Sequence, residues 1–188
     1  MGTVGSPRGN HWDFSTEKVG GTLIPYLGEY RYTVDNAGRL NVPAKFREIL
    51  KQGEASSDLV LIRGLDSCIY LLPLSTWAKF REPLDDPVFH AERQARWFSR
   101  DLLAGGSVQQ PDSQGRIQIP KALRDHAGIE DQAVIFGHDN KIEVWAPERF
   151  DAYRQAGATM GGTLEEGAAK YLLVRTQRQQ SEGGPHDA

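Results

Sequence analysis

The chain has 188 residues, 39% of them hydrophobic, and carries 22 lysine and arginine side chains against 25 aspartates and glutamates, for a formal charge of −3 and a pI near 6.0. That is enough apolar material for one domain or a fused pair of small ones, and the slightly acidic balance excludes a basic surface spread over the whole molecule, so any nucleic-acid contact has to be local. The longest apolar runs, Leu59-Val60-Leu61-Ile62 and Ala133-Val134-Ile135-Phe136, fall far short of the roughly 20 residues that span a bilayer, the first residues lack the layout of a secretory signal, and the lone Cys68 has no intrachain partner, so a reducing cytoplasm is expected.

Residues 1–22 are rich in Gly and polar side chains and read as a flexible extension. An internal repeat then sets the architecture. Asp35-Asn36-Ala37-Gly38-Arg39-Leu40-Asn41-Val42-Pro43-Ala44-Lys45-Phe46-Arg47 recurs as Asp112-Ser113-Gln114-Gly115-Arg116-Ile117-Gln118-Ile119-Pro120-Lys121-Ala122-Leu123-Arg124, each position 77 residues after its counterpart. The echo continues downstream, where Leu59 to Pro73 answers Ala133 to Pro147. The division that follows is a first repeat over 23–83, a linking helix over 84–105, a second repeat over 106–154, and an extension over 155–188 that is partly helical or disordered.

Within each copy the local chemistry reads in order. Asp at the first turn position and Gly at the fourth suit a type I turn in which Gly takes a positive φ and leads into a bulge, so this is a hairpin tip. Leu40/Val42 and Ile117/Ile119 alternate with Asn41 and Gln118, which predicts a strand with one buried face. Pro43 and Pro120 stop the ladder and start a helix, whose core face is Phe46, Ile49 and Leu50 in the first copy and Leu123 with Ala127 in the second, closed by Gly128. Two strands follow, 59–62 with 68–72 and 133–136 with 142–145, and then a short closing helix bearing Trp77 and Phe80, or Phe150 and Tyr153. Between the copies, Pro87, Phe89, Trp97, Leu102 and Leu103 predict a helix over about 88–103 that ends at Gly105-Gly106. Leu164, Ala168, Tyr171, Leu172 and Arg175 outline a further helix at 164–178 before a polar tail. The fold class expected is α+β, dominated by β structure.

The candidate site lies on the two tips. Residues 31–52 carry Arg31, Arg39, Lys45, Arg47 and Lys51 against Asp35 and Glu48, a local excess of three positive charges. Arg39 and Arg116 stand just beyond a rigid turn, where a guanidinium projects at a fixed place and can bond guanine bidentately or hold a phosphate; Asp35 and Asp112, four residues earlier, would aim them. Lys45, Arg47, Lys121 and Arg124, on the helices that follow, would add phosphate contacts. The motif alone supports equally a solvent-exposed turn in which Asp caps and Arg merely pairs, with Arg47 and Arg124 bracing the corner between strand and helix.

Tyr26-Leu27-Gly28-Glu29-Tyr30 leading into the first Asp-x-x-Gly-Arg-x-x-x-Pro-Ala-Lys-Phe-Arg run, with the second Asp112-x-x-x-Arg116 copy at its separation, resembles the MraZ family over roughly residues 23 to 154. The resemblance implies an AbrB-like, swapped-hairpin fold in which two tandem repeats pair around a pseudo-twofold axis into a closed β core. It also implies ring-like homo-oligomers and regulation, as a nucleoid-associated repressor, of the division and cell wall gene cluster through double-stranded DNA at the promoter of its own operon. It inclines Arg39, Arg116, Asp35, Asp112, Lys45, Lys121, Arg47 and Arg124 toward DNA binding, and implies no cofactor and no small-molecule substrate. The sequence departs from the family pattern at both extensions and in the second repeat, where Pro111 precedes the Asp and Ala122 stands where the first repeat has Lys45.

An enzyme is the rival class. His11, His90, His126, His138 and His186 are scattered, His90-Ala91-Glu92 lacks the Pro-Cys-x-x-Cys that a zinc deaminase requires, and His138-Asp139 has no accompanying nucleophile motif. Neither a catalytic centre nor a metal site is expected. A third reading keeps an oligomer without DNA, a protein-interaction scaffold using Trp77, Trp97 and Trp145 at subunit contacts.

Overall fold

The computed structural model describes residues 25–54, 56–160 and 163–168. The flexible extension expected at 1–22 lies outside them, as do the polar tail and most of the helix expected at 164–178. The first repeat runs as strand β1 (Tyr26–Thr33), a tight turn, strand β2 (Arg39–Asn41), helix α1 (Ala44–Gly53), strands β3 (Leu59–Arg63) and β4 (Ile69–Pro73), and helix α2 (Leu74–Arg81). A 3-10 turn (Glu82–Asp85) and helices α3 (Pro87–Ala91) and α4 (Arg93–Leu103) follow. The second repeat runs as β5 (Ser107–Gln109), β6 (Arg116–Gln118), α5 (Lys121–Ala127), β7 (Gln132–Asp139), β8 (Lys141–Trp145) and α6 (Pro147–Met160), with a short α7 (Leu164–Gly167) after it.

The linking segment is not the single helix expected over 84–105. Glu92 is extended (φ −86°, ψ 134°) and separates α3 from α4. The carbonyls left without helical partners at the end of α3 are taken by Arg96, whose Nη1 donates to His90 O at 2.7 Å and to Ala91 O at 2.8 Å. Pro43 and Pro120 precede their helices as extended N-caps, and Gly128 closes α5 in the left-handed region (φ 68°).

The strands form two antiparallel sheets. Six of them lie in the order β1-β7-β8-β4-β3-β5, so each repeat gives its first strand to the other repeat: β1 pairs with β7 over its whole length, and β5 pairs with β3. The two repeats also meet in the middle, where β4 and β8 pair Ile69 with Val144 and Leu71 with Ile142. The second sheet has only β2 and β6, with Leu40 opposite Ile117. Three-residue strands make few ladder bonds, so this small sheet depends on packing.

That packing follows from period-two burial. Leu59 and Leu61 face one side of the large sheet and Val60 and Ile62 the other, and all four are buried. On the first side, Leu40, Val42, Ile117 and Ile119 of the small sheet and Phe46, Leu50, Leu123 and Ala127 of α1 and α5 close over Leu59, Leu61, Ile135 and Val144. On the second, Leu84, Leu102 and Phe150 cover Val60, Ile62, Tyr70 and Trp145. The result is a mixed α+β fold of antiparallel sheets and short helices, with the small sheet and its tips on one side and α4 and α6 on the other. No helix among the described residues is long and apolar enough to cross a membrane. Of the three tryptophans expected at contacts, Trp145 is buried, Trp77 packs on Phe80 at 6.0 Å between centroids, and Trp97 is 65% exposed.

Candidate nucleic-acid interface

Each tip is built by one aspartate. In the first, Asp35 Oδ1 accepts from the Ala37 amide at 3.0 Å and the Arg39 amide at 2.9 Å, and Oδ2 accepts from Arg39 Nε at 2.7 Å. In the second, Asp112 Oδ1 accepts from the Gln114 and Arg116 amides, both at 2.9 Å, and Oδ2 from Arg116 Nε at 3.0 Å and Nη2 at 2.8 Å. The Gly38 amide donates to Asp35 O and the Gly115 amide to Asp112 O, each at 2.8 Å, and both glycines have the positive φ (78° and 81°) that this closure requires. Asp and Gly are thus needed at these spacings to turn the chain, and the same carboxylate that turns it also grips the arginine.

These donors set the acidity of the two carboxyls. The Arg116 amide, then the Arg116 guanidinium, holds Asp112 at about 2. Asp35 is also held below its ordinary range, chiefly by the Arg39 amide and then, against some desolvation, by the Arg39 guanidinium. Both acids are therefore ionised near neutral pH, and each arginine keeps its counter-charge.

The two tips are interlocked. The Val42 amide donates to Gly115 O and the Ile119 amide to Gly38 O, both at 2.9 Å, and Gln118 Nε2 donates to Ala37 O at 3.2 Å. Arg47 donates from Nε to Val42 O at 3.1 Å, and its guanidinium lies where a side chain on Gly115 would stand, with Cζ 2.5 Å from that Cβ position. Arg124 does the same from the other side, bonding Ile119 O at 3.3 Å and lying against Gly38. Arg47 thus braces the second tip and Arg124 the first, both partly buried. The crossing puts the first turn of α1 beside the second tip and that of α5 beside the first.

Lys45 is exposed and has no ion-pair partner among the described residues, whereas Lys121 pairs with Asp125 at 2.7 Å. Arg31 is turned away from this role, held by Asp151 at 2.8 Å and Glu29 at 3.2 Å.

A cavity of about 470 Å³ lies on the opposite side of the sheet, among Tyr70, Phe136, His138, Lys141, Glu143 and Tyr153. Burial alone would push the Glu143 carboxyl up, but its contacts with His138, Lys141 and Trp145 more than offset it and hold it below the ordinary range. Glu143 is committed to those three partners and is placed as a structural anchor for β8. Among the described residues no group of three or more His, Cys, Asp or Glu side chains is placed to hold a metal.

Comparison with known proteins likewise finds the unit twice. The family profile of the MraZ protein matches residues 26–98 and again 102–168. A transcriptional regulator MraZ from Natranaerobius thermophilus is 40% identical over 131 residues, which cover 69% of this chain and 87% of the relative. The chain belongs to the MraZ family. A second family member, the transcriptional regulator MraZ of Limosilactobacillus reuteri, is 39% identical over 127 residues, 68% of this chain and 85% of its own. The family is one of transcriptional regulators and not of enzymes. Sequence reasoning did not find the crossing of Arg47 and Arg124 to opposite tips; the i, i+4 spacing of Lys121 and Asp125 was a signal for their pairing.

Proposed function

We propose that this chain is a sequence-specific regulator that binds double-stranded DNA through its two Asp-x-x-x-Arg tips. The observation that carries the reading is the duplicated tip itself: two guanidiniums on the same small sheet, each fixed by a carboxylate that also closes its turn, each at least a quarter exposed. Preorganised arginines of this kind suit base edges and phosphates, because little side-chain entropy remains to be lost on binding. The names of the relatives, transcriptional regulators both, favour the same conclusion.

The finer proposal is a swapped-hairpin, AbrB-like core with a pseudo-twofold axis, favoured by the palindromic strand order. We further propose that ring-like homo-oligomers present many tips to repeated operator sites and repress the division and cell wall gene cluster, including the chain's own gene, in the cytoplasm at the nucleoid. One protomer has few contacts, and a good base contact contributes about 1–3 kcal/mol, so multiplicity would supply the rest through avidity of about 10²–10⁴. The test is binding to a fluorescent duplex from the chain's own upstream region at two salt concentrations, beside an Arg39→Ala/Arg116→Ala double variant of unchanged fold and oligomer size. Promoter-preferring, salt-sensitive binding that the double variant loses supports the proposal. Equal binding by both proteins moves the site elsewhere, and no binding by either favours a protein-interaction scaffold, for which exposed Trp97 is the available anchor.

A further inference from the structure

Beyond the two arginines, the small sheet carries a second pair of polar side chains on its open face. Leu40 and Ile117 are buried in the core, so period-two alternation turns Arg39 and Asn41 of β2 and Arg116 and Gln118 of β6 outward. The register sets Arg39 opposite Gln118 and Asn41 opposite Arg116. Directly opposed residues stand about 5 Å apart, and residues two apart on one strand about 7 Å. The four therefore occupy a patch as long as two base-pair steps of roughly 3.4 Å each. They stand on a two-stranded antiparallel ribbon, an element that the major groove admits.

Each cross-strand pair joins one guanidinium to one carboxamide. The side-on bonds of Arg39 and Arg116 to Asp35 and Asp112 leave both end-on N–H pairs free, the pair that guanine O6 and N7 accept. The Asn41 side chain is exposed and makes no hydrogen bond among the described residues. Gln118 is exposed too and is placed by one bond, from Nε2 to Ala37 O at 3.2 Å, which leaves its carbonyl oxygen and one N–H. Ladder formation does not ask for a carboxamide at either place. Asparagine is depleted in strands, and a β-branched side chain would support so short a ladder better, yet both copies have an amide here, 77 residues apart. The chemistry of the amide separates its two uses on DNA. A phosphate oxygen only accepts and would engage half of the group, whereas the adenine edge in the major groove offers an acceptor at N7 and a donor at N6, which match the N–H and the carbonyl together.

Resting on the DNA-binding reading above, we infer that Asn41 and Gln118 are specificity-determining residues of the same interface: each reads an adenine in the major groove beside the guanine bonded by the arginine opposite it. Arginine and amide together make the ribbon a reader of purine edges. Because Arg39 faces Gln118 and Arg116 faces Asn41, each reading unit is built from both repeats.

The experiment compares the full-length chain with Asn41→Ala and Gln118→Ala variants, checked for folding by circular dichroism. Each is titrated with a duplex from the chain's own upstream region, with a scrambled duplex of equal composition, and with upstream duplexes carrying 7-deazaadenine at one adenine at a time, which removes the N7 acceptor. Asn41→Ala is expected to lose about 10- to 100-fold in preference for the upstream duplex while keeping its affinity for the scrambled one and its salt slope. It is also expected to be indifferent to 7-deazaadenine at one position to which wild type responds. Gln118→Ala is expected to do the same at a different adenine. Asn41 makes no side-chain hydrogen bond among the described residues, so its variant keeps the test decisive if Gln118→Ala, which loses the bond to Ala37, loosens the first tip. If Asn41→Ala keeps the wild-type preference and the wild-type response to every 7-deazaadenine duplex, or if it weakens binding to upstream and scrambled duplexes alike, the adenine assignment is wrong although the DNA-binding reading stands. If wild type itself shows no preference for the upstream duplex, the sequence-specific reading fails and the assignment with it.

Discussion

Asp112 does two jobs with two oxygens, and its acidity reports both. Its folded-state pKa of about 2 lies below the ordinary 3.8, so the stabilisation it gives the tip is fully present above about pH 4 and is lost as pH falls through about 2. Carboxyl titration by NMR is expected to give a midpoint near 2 in the wild type. In Arg116→Ala the midpoint is expected to rise only part of the way, because the backbone amide of residue 116, the largest cause, remains. A wild-type midpoint near 3.8 would mean that the carboxylate does not close the turn. At this scale much was legible: the Asp and Arg four residues apart around a Gly specify both turn and ion pair from local chemistry alone. The places of Arg47 and Arg124 were not, since each bonds a carbonyl five residues before it yet lies under a glycine 68 or 86 residues distant, Gly115 or Gly38. Nothing in the spacing of a single motif encodes that crossing.

Elements show the same split between local and distant causes. Strand β2 follows from the alternation of Leu40 and Val42 about exposed Asn41, and α5 from Leu123, Ala127 and the left-handed Gly128. The partner of β1 does not follow from any local signal, because Tyr26–Thr33 pairs with residues 132–139 of the other repeat. The break at Glu92 was hidden for a related reason: it is satisfied by Arg96 reaching back to the carbonyls of α3, a side-chain choice that leaves the apolar pattern of the segment unchanged. Glycine substitutions test how far the tip geometry is fixed. Gly115 has φ 81°, and a Cβ there would meet the Arg47 guanidinium at 2.5 Å. Gly115→Ala is expected to cost at least about 1–2 kcal/mol, the left-handed penalty alone. Gly157 lies inside α6 with nothing within 4 Å of such a Cβ, so Gly157→Ala is expected to stabilise by about 0.5–1 kcal/mol through its higher helix propensity. Urea denaturation of the two variants measures both, and equal shifts in midpoint would show that the second tip is not held in this conformation.

For the molecule as a whole, exchange of β1 and β5 makes each repeat incomplete. A chain cut after Ala104 keeps β1 but loses β7, its partner along all eight residues, and it leaves β4 without β8 and Leu40 without Ile117. The remaining fragment, 105–168, loses β3 from β5 and β4 from β8, and its Ile117, Ile119 and Val144 lose the Leu40, Leu59 and Leu61 side of their cluster. Full burial of such large aliphatic side chains contributes about 1.5–3 kcal/mol each. Exposing several at once exceeds the roughly 5–15 kcal/mol by which a whole domain is stable. Neither piece is therefore expected to fold as a monomer, although each carries a full copy of the motif. Fragments 25–104 and 105–168, produced separately, are expected to give poorly dispersed amide spectra. An equimolar mixture is expected to give a dispersed spectrum at the summed mass by sedimentation. A single fragment that is dispersed at its monomer mass would overturn this, because it would show that a repeat closes its core without the strands it lends and borrows. The same dependence explains why the two tips have a fixed relation: Gly38 is bonded by Ile119 and Gly115 by Val42, so one hairpin cannot form its final shape before the other is in place.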